Sequence, residues 1–221
     1  MKPATDSTGE GRARVARALL QIVARDGIVG VSVRNVAAEA GVSGGTVQHY
    51  FRTRTQMLHY AMALITEHVA ARLAAVPRTG PASEWTRAIL LELLPLDEQR
   101  HREFGVWLAF SAHADTDPDL GELKRDTADR LRDLYRDLLR ARRAAATESG
   151  AAVPSRTVVG STATGRSSGG EIEEWEAVLL QAVVDGLALQ LADLGPREAA
   201  KVGPELLDRY LAVAPTGAPS C

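Results

Sequence analysis

The residues that stand out chemically lie between positions 34 and 54: Arg34, Ser43, Gly44, Gly45, Thr46, Gln48, His49, Tyr50 and Arg54. Arginine matches the acceptor pair of guanine, and glutamine matches the donor–acceptor pair of adenine. Arg34, Gln48 and His49 are therefore candidates for reading base edges. Ser43, Thr46, Tyr50 and Arg54 bring hydroxyls and a cation, the groups that grip phosphate oxygens. Backbone N–H groups at a helix start add to such a grip. Gly44 and Gly45 let one backbone approach another with no side chain between them. Two of these residues keep alternatives: Tyr50 can pack its ring in the core and offer only its hydroxyl, and His49 can be a bystander.

These residues need a scaffold, and residues 32–60, SVRNVAAEAGVSGGTVQHYFRTRTQMLHY, supply one. Ser32 suits an N-cap, and Val33, Val36, Ala37 and Ala40 recur at helical spacing. Gly41 ends that helix in the left-handed conformation, Val42 plugs the turn and Ser43 caps the next helix. Val47 and Tyr50 face inward there, which leaves the small and polar residues outside. Thr53 to Gln56 fits a capping box that opens another helix. The pair around Gly41 reads as a helix-turn-helix whose second helix fits a DNA major groove.

Ahead of it, Val15, Ala18, Leu19, Ile22 and Val23 mark a helix from about Glu10 to Arg25, stopped by Gly27. After it, Leu58, Ala61, Met62, Ile65, Val69 and Leu73 carry a long helix from about Arg54 to Ala75, broken at Pro77. The remainder stays helical. Ser83 is expected to cap a helix that ends near Pro95, and another spans about Asp97 to Ala114. Asp117-Pro118 opens a long helix to about Arg143, with Arg125–Asp129 and Asp126–Arg130 expected as i,i+4 ion pairs on its outer face. Residues 144–170 lack Leu, Ile and aromatics and read as a disordered linker. Helix resumes from Glu171 to about Asp193, and a last helix runs from Pro196 to about Val213 with an interruption at Gly203-Pro204. No stretch alternates with period two. The expected fold is all-α, with about nine helices: a head at 10–56, a body at 57–214, and tails at 1–9 and 215–221.

The net charge of −2 hides a division along the chain. Residues 1–60 hold eight Lys/Arg against four acids, and the rest holds 18 against 24. A basic head on an acidic body suits a nucleic-acid-binding unit joined to a sensing unit. Cys221 is the only cysteine, so no internal disulfide forms. The apolar runs fall short of the ~20 residues of a membrane span, and the N-terminus has no signal-peptide pattern. A cytoplasmic location is expected. No catalytic motif appears: HExxH, GxSxG, Rossmann glycines and cysteine clusters are absent. GSTATGRSSGG lacks the GK[ST] ending of a phosphate loop. His101, Glu103, His113, Asp115 and Asp117 do not have the spacing of a metal site, so no metal and no cofactor are expected.

The head resembles the DNA-binding domain of the TetR family of bacterial transcriptional regulators, from about Arg12 to Leu64. GVSGGTVQHYF, Gly41 to Phe51, follows that family's G-V-S-x-G-T-x-Y-x-Y-F pattern. Gln48 stands where the family commonly has tyrosine, and Arg54 where it commonly has lysine. The resemblance implies that Arg54 directs its charge at a phosphate. The body resembles the choline-responsive repressor branch at Trp107–Phe110 and at VVDGLALQL, Val183 to Leu191. Relative to that pattern the 144–170 linker is an insertion.

This resemblance implies a cytoplasmic, nucleoid-associated repressor that binds a palindromic operator in double-stranded DNA. It further implies a homodimer through the last two long helices and a small-molecule effector inside the body. Dimer candidates are Val178, Leu179, Ala182, Gly186 and Leu187, then Leu206, Leu207, Tyr210 and Leu211; some must face the monomer's own core. Trp85, Trp107, Phe110, His113, Trp175, Gln181 and Asp185 are the ligand candidates, because they stand out in an aromatic-poor body and could together line a mostly apolar pocket with a few convergent polar groups. A cationic ligand suits Trp107 and Phe110 beside Asp185. An activator role, or a DNA-binding or interaction module without ligand, remains the alternative.

Overall fold

Gly27 and Gly41 both adopt positive φ, +69° and +63°, and each closes a helix at the point where the chain must turn. In the computed structural model, which describes residues 8–115, 117–148 and 174–213, these turns separate α1 (Thr8–Asp26), α2 (Val33–Ala40) and α3 (Gly44–Tyr50). A short 3-10 turn, Ile28–Gly30, lies between α1 and α2. Side chains close the helix starts as the sequence leads one to expect. Ser32 accepts from Asn35 N–H, and Ser43 from Thr46 N–H. Thr53 accepts from Gln56 N–H at the start of α4 (Arg54–Ala75). The reciprocal bond of that capping box is displaced by one residue: Gln56 Oε1 accepts from the Arg52 N–H at 2.8 Å.

The body holds α5 (Ala82–Glu92), α6 (Glu98–Ala114), α7 (Pro118–Glu148), α8 (Glu174–Leu194) and α9 (Pro196–Val213). The fold is all-α, and no strand occurs among the described residues. Asp97 caps α6 by accepting from Arg100 N–H. Asp117 Oδ1 accepts from the N–H groups of Asp119 and Leu120 to open α7.

Four details differ from expectation. Ser83 does not cap α5; Pro81 holds that position, and its carbonyl accepts from Glu84 N–H at 3.0 Å. No side chain caps this helix start, and proline's fixed φ only sets the backbone direction from which the helix begins. α7 continues to Glu148, so positions 144–148 are helix. The rest of the expected linker, 149–170, lies outside the described residues, as do 1–7 and 214–221, which hold most of the expected tails. The outer face of α7 is paired at i,i+3 (Asp129–Arg132, Asp133–Arg136, Asp137–Arg140) rather than through Arg125–Asp129 and Asp126–Arg130. Two of those arginines also reach Glu174 on α8, which favours this spacing. Finally, α9 runs through Pro204 without a break. An interior proline costs a helix about 3 kcal/mol. Ala199, Gly203 and Leu207 are nonetheless buried along one face of this helix. Gly203 is needed for the approach: a Cβ there would stand 2.5 Å from Leu96 Cδ2.

Two apolar clusters form the interior. The first gathers α1 to α4, and Val106, Phe110 and Ala114 of α6 with Leu120 of α7 join it. The second joins α5, α7, α8 and α9 around Ile89, Tyr135, Leu138 and Leu180. The head is thus seated on the body by shared packing. α8 buries Ala177, Leu180, Val184, Ala188 and Leu191. Its opposite face leaves Trp175, Val178, Leu179 and Leu189 exposed. Contrary to the sequence expectation, this 21-residue helix is long and apolar enough by composition to cross a membrane. That property comes from carrying apolar residues on both faces.

Candidate DNA interface and effector cavity

Ser43 fixes the start of α3 twice: its Oγ accepts from Thr46 N–H at 3.1 Å and lies 2.9 Å from Thr46 Oγ1. Both hydroxyls therefore stand together at the helix start. Gly45, Gln48 and His49 are exposed along the outer side of α3, and Arg34 is exposed on α2. A Cβ added at Gly44 or Gly45 would meet nothing nearer than 3.7 Å within the chain. Internal packing therefore does not demand glycine at either place.

Three of the expected contact residues make contacts inside the head. Tyr50 is half-buried, and its hydroxyl presses against α1 where a Cβ on Gly11 would overlap it. It does not point freely outward. His49 packs edge-on against the Tyr50 ring, centroids 5.3 Å apart. Arg54 donates from Nη2 to the Ile28 carbonyl, which ties the start of α4 to the 3-10 turn. Arg25 is also engaged within the head, with Asp26 at 2.9 Å and Glu39 at 3.1 Å.

The body contains a cavity of about 470 Å3 bounded by α4, α5, α6, α7 and α8. Its wall is mainly apolar, with Ile65, Val69, Phe104, Trp107, Leu131 and Leu134. Polar groups gather in two places. On α7 and α8, Tyr135 faces Asp185. Burial against the wall raises the Asp185 carboxyl above its usual range, and a hydrogen bond with Gln181 opposes that shift. Asp185 sits at the open rim, so part of its surface still meets solvent. Burial, and then the Asp185 charge, push the Tyr135 phenol up. On α4 and α6, Glu103 is 8% exposed and its carboxylate is fully engaged. Oε2 accepts from Arg72 Nη1 at 2.8 Å, and Oε1 accepts from Gln99 Nε2 at 2.9 Å with His68 Nδ1 at 3.1 Å. Glu92 lies 3.3 Å from Arg72 and 3.4 Å from Arg100.

Of the sequence-derived ligand candidates, Trp107 and Asp185 line this cavity. Gln181 reaches it through Asp185. Phe110 does not line it; it is 1% exposed in the head-side cluster, behind Trp107, with ring centroids 5.7 Å apart. Trp85 packs at the edge of the second cluster under the Arg78 guanidinium, 5.6 Å away. Trp175 belongs to a separate crevice of about 90 Å3 beside Arg142 and Tyr210. His113 lies near the end of α6, off the cavity wall. Tyr135, Phe104 and the Glu103–Arg72 pair also line the cavity but are not among the ligand candidates; Glu103 stood out in the sequence only as a metal ligand to be rejected. The apolar stripes read from the sequence, such as Met62, Ile65, Val69 and Leu73 on α4, do not distinguish a packed face from a cavity wall.

Residues 15–61 match the family model described as bacterial regulatory proteins, tetR family, and residues 82–164 match that of the BetI-type transcriptional repressor, C-terminal. A solved transcriptional regulator from Rhodococcus sp. Rha1 is 32% identical, with a TM-score of 0.67, over 94% of this chain and 99% of that one. The chain belongs to the TetR family. Among curated TetR-type relatives, the regulator PksA of Bacillus subtilis is 37% identical over 116 residues, 52% of this chain and 57% of its own length. The regulator BetI of Pseudomonas fluorescens is 31% identical over 124 residues, 54% of this chain and 62% of its own length. The chain thus spans less than two thirds of these curated relatives. A regulator from Saccharomonospora viridis, solved in complex with choline, shares the TetR fold at 20% identity and a TM-score of 0.72, over 93% of this chain and 97% of that one. These relatives are transcriptional regulators, not enzymes.

Proposed function

We propose that this protein is a homodimeric repressor of the bacterial cytoplasm that binds a palindromic operator and is released by a small cationic effector in the α4–α8 cavity. In this reading the DNA-binding head is residues 10–56 and the effector body residues 57–214. The observation that carries it is the double duty of α4. Met57, Leu58 and Ala61 belong to the head core, while Thr66, Val69 and Leu73 line the cavity. Met62 and Ile65 do both. A second tie runs from Thr55 Oγ1 to Asp117 Oδ2 at 3.3 Å, joining the first turn of α4 to the start of α7. A ligand that prefers a different spacing of α4, α7 and α8 therefore shifts the heads. A ligand with equal affinity for both arrangements would release nothing.

The effector reading favours a cation because Trp107 offers a ring face and Asp185 is the wall carboxylate that no arginine neutralises among the described residues. Choline and malachite green, the ligands of two structural neighbours, both carry a positive charge. Asp185→Asn should weaken binding of such a cation and should also stabilise the empty protein. The raised carboxyl means that the folded chain holds this proton more tightly than the unfolded one. Wild-type stability from this group is full below the ordinary carboxylate range and is lost as pH rises through the folded value. The variant should therefore melt above wild type at neutral pH, with the gap closing toward acid pH. Thermal melts across pH check this, and a gap independent of pH would contradict it.

For the DNA contacts, Arg54→Ala should weaken binding to all sequences alike and flatten the salt dependence by about one counterion for each phosphate it no longer reaches. Gln48→Ala should relax base preference at one position per half-site. Mobility-shift titrations across salt and operator variants separate the two. Equal loss on cognate and random DNA from Gln48→Ala would remove Gln48 from the base-reading set. Adding choline or malachite green to the same titration tests release.

A further inference from the structure

Arg12 lies in the first turns of α1 and is exposed. Its guanidinium carbon stands 4.3 Å from the Tyr60 ring centroid and 5.6 Å from that of Phe51. The two rings touch, with centroids 5.2 Å apart. Phe51 directly follows α3, so this aromatic pair sits under the C-terminal end of that helix. One residue before Arg12, the buried Gly11 lets the Tyr50 hydroxyl come up against α1. The start of α1 and the end of α3 are therefore pressed together, and Arg12 is held at their junction.

Stacking occupies the faces of a guanidinium and leaves its N–H donors pointing outward from the edge. Among the described residues no carboxylate pairs with Arg12. Arg25, by contrast, is paired with Asp26 and Glu39, while Arg54 keeps its charge and donates one N–H to the Ile28 carbonyl. Arg12 is positioned by rings rather than neutralised, beside the helix that would enter the groove. An acceptor rich in anionic oxygen is the complement of such a group, and on a duplex that acceptor is the backbone.

We propose that Arg12 is a phosphate-binding residue of the DNA interface, which then extends from the α2–α3 pair to the first turns of α1. The proposal rests on the reading of the head as a DNA-binding unit. Its test uses the full chain and a fluorescein-labelled duplex carrying the half-sites recovered from a random pool, titrated by anisotropy at several KCl concentrations. Arg12→Met keeps an unbranched, ring-compatible stem and removes the charge. With one phosphate left unneutralised by each subunit, the slope of log K against log salt becomes shallower by about 1.8, and affinity at 0.15 M salt falls by about 30-fold. Base preference and melting temperature stay as in wild type, and Arg12→Lys keeps most of the slope. Wild-type affinity and slope in Arg12→Met would overturn the proposal. So would an affinity loss with unchanged slope and a lowered melting temperature, since Arg12 would then only staple α1 to the rings. A wild-type chain that binds no duplex would end both readings, whereas binding that Arg12→Met leaves unaltered would end this one alone.

Discussion

Leu179→Arg is expected to sediment as a monomer at micromolar concentration and to lose at least about a hundredfold in operator affinity. Leu179 is 53% exposed and Val178 44% exposed, on the side of α8 opposite its buried residues. Ala182 and Gly186 continue that face, and Leu206 of α9 is exposed as well. Leu207 is fully buried and packs inside its own subunit, so it drops out of the dimer candidates; Leu187, Tyr210 and Leu211 are half-buried against the same core. In the homodimer proposed above, a second copy would cover this apolar face. In a two-fold interface one substitution appears twice, so Leu179→Arg sets two unpaired cations into the contact. An unpaired buried charge costs about 3–5 kcal/mol, or several hundredfold or more in dimer affinity. Operator affinity then falls because the two heads no longer share one binding event. Val29→Ser, at an exposed residue of the 3-10 turn, serves as the control and should remain dimeric. A Leu179→Arg protein that stays dimeric would move the subunit contact off α8.

The second large effect is expected from Glu103→Ala. Its carboxylate is shared by Arg72, Gln99 and His68, and its removal leaves the Arg72 cation with Glu92 alone, at 3.3 Å. Breaking a buried pair from one side costs about 3 kcal/mol. In a chain of this size that is a fall of about 6–12 °C in melting temperature. Glu103→Gln keeps the shape and one acceptor, and should lose less than half as much. Thermal and urea denaturation of both variants check this. A melting temperature within a degree of wild type for Glu103→Ala would show that solvent entering the cavity compensates Arg72.

The helix boundaries were legible because they are written in single residues. Ser32, Ser43, Thr53, Asp97 and Asp117 cap where a polar side chain meets an orphan N–H, and Gly27 and Gly41 supply the positive φ that ends a helix. Pro204 misled because the packing that tolerates it, Gly203 against Leu96 and Leu191, comes from distant parts of the chain. The outward set on α3 was readable from small and polar residues at helical spacing. The inward turn of Tyr50 was not, since it depends on the missing side chain of Gly11. The cavity was the least legible part. Rare aromatics drew attention to Phe110, Trp85 and Trp175, which pack elsewhere, while Tyr135 and Glu103 are defined by what five helices bring together.

The central claim is that two copies of α3 meet one duplex on the same face. Selection of bound duplexes from a random pool, using the full chain without effector, tests it most directly. The account predicts an inverted repeat with half-site centres about 34–36 Å, or 10–10.5 base pairs, apart. Enrichment of a single unrepeated motif, or of no duplex at all, would contradict it.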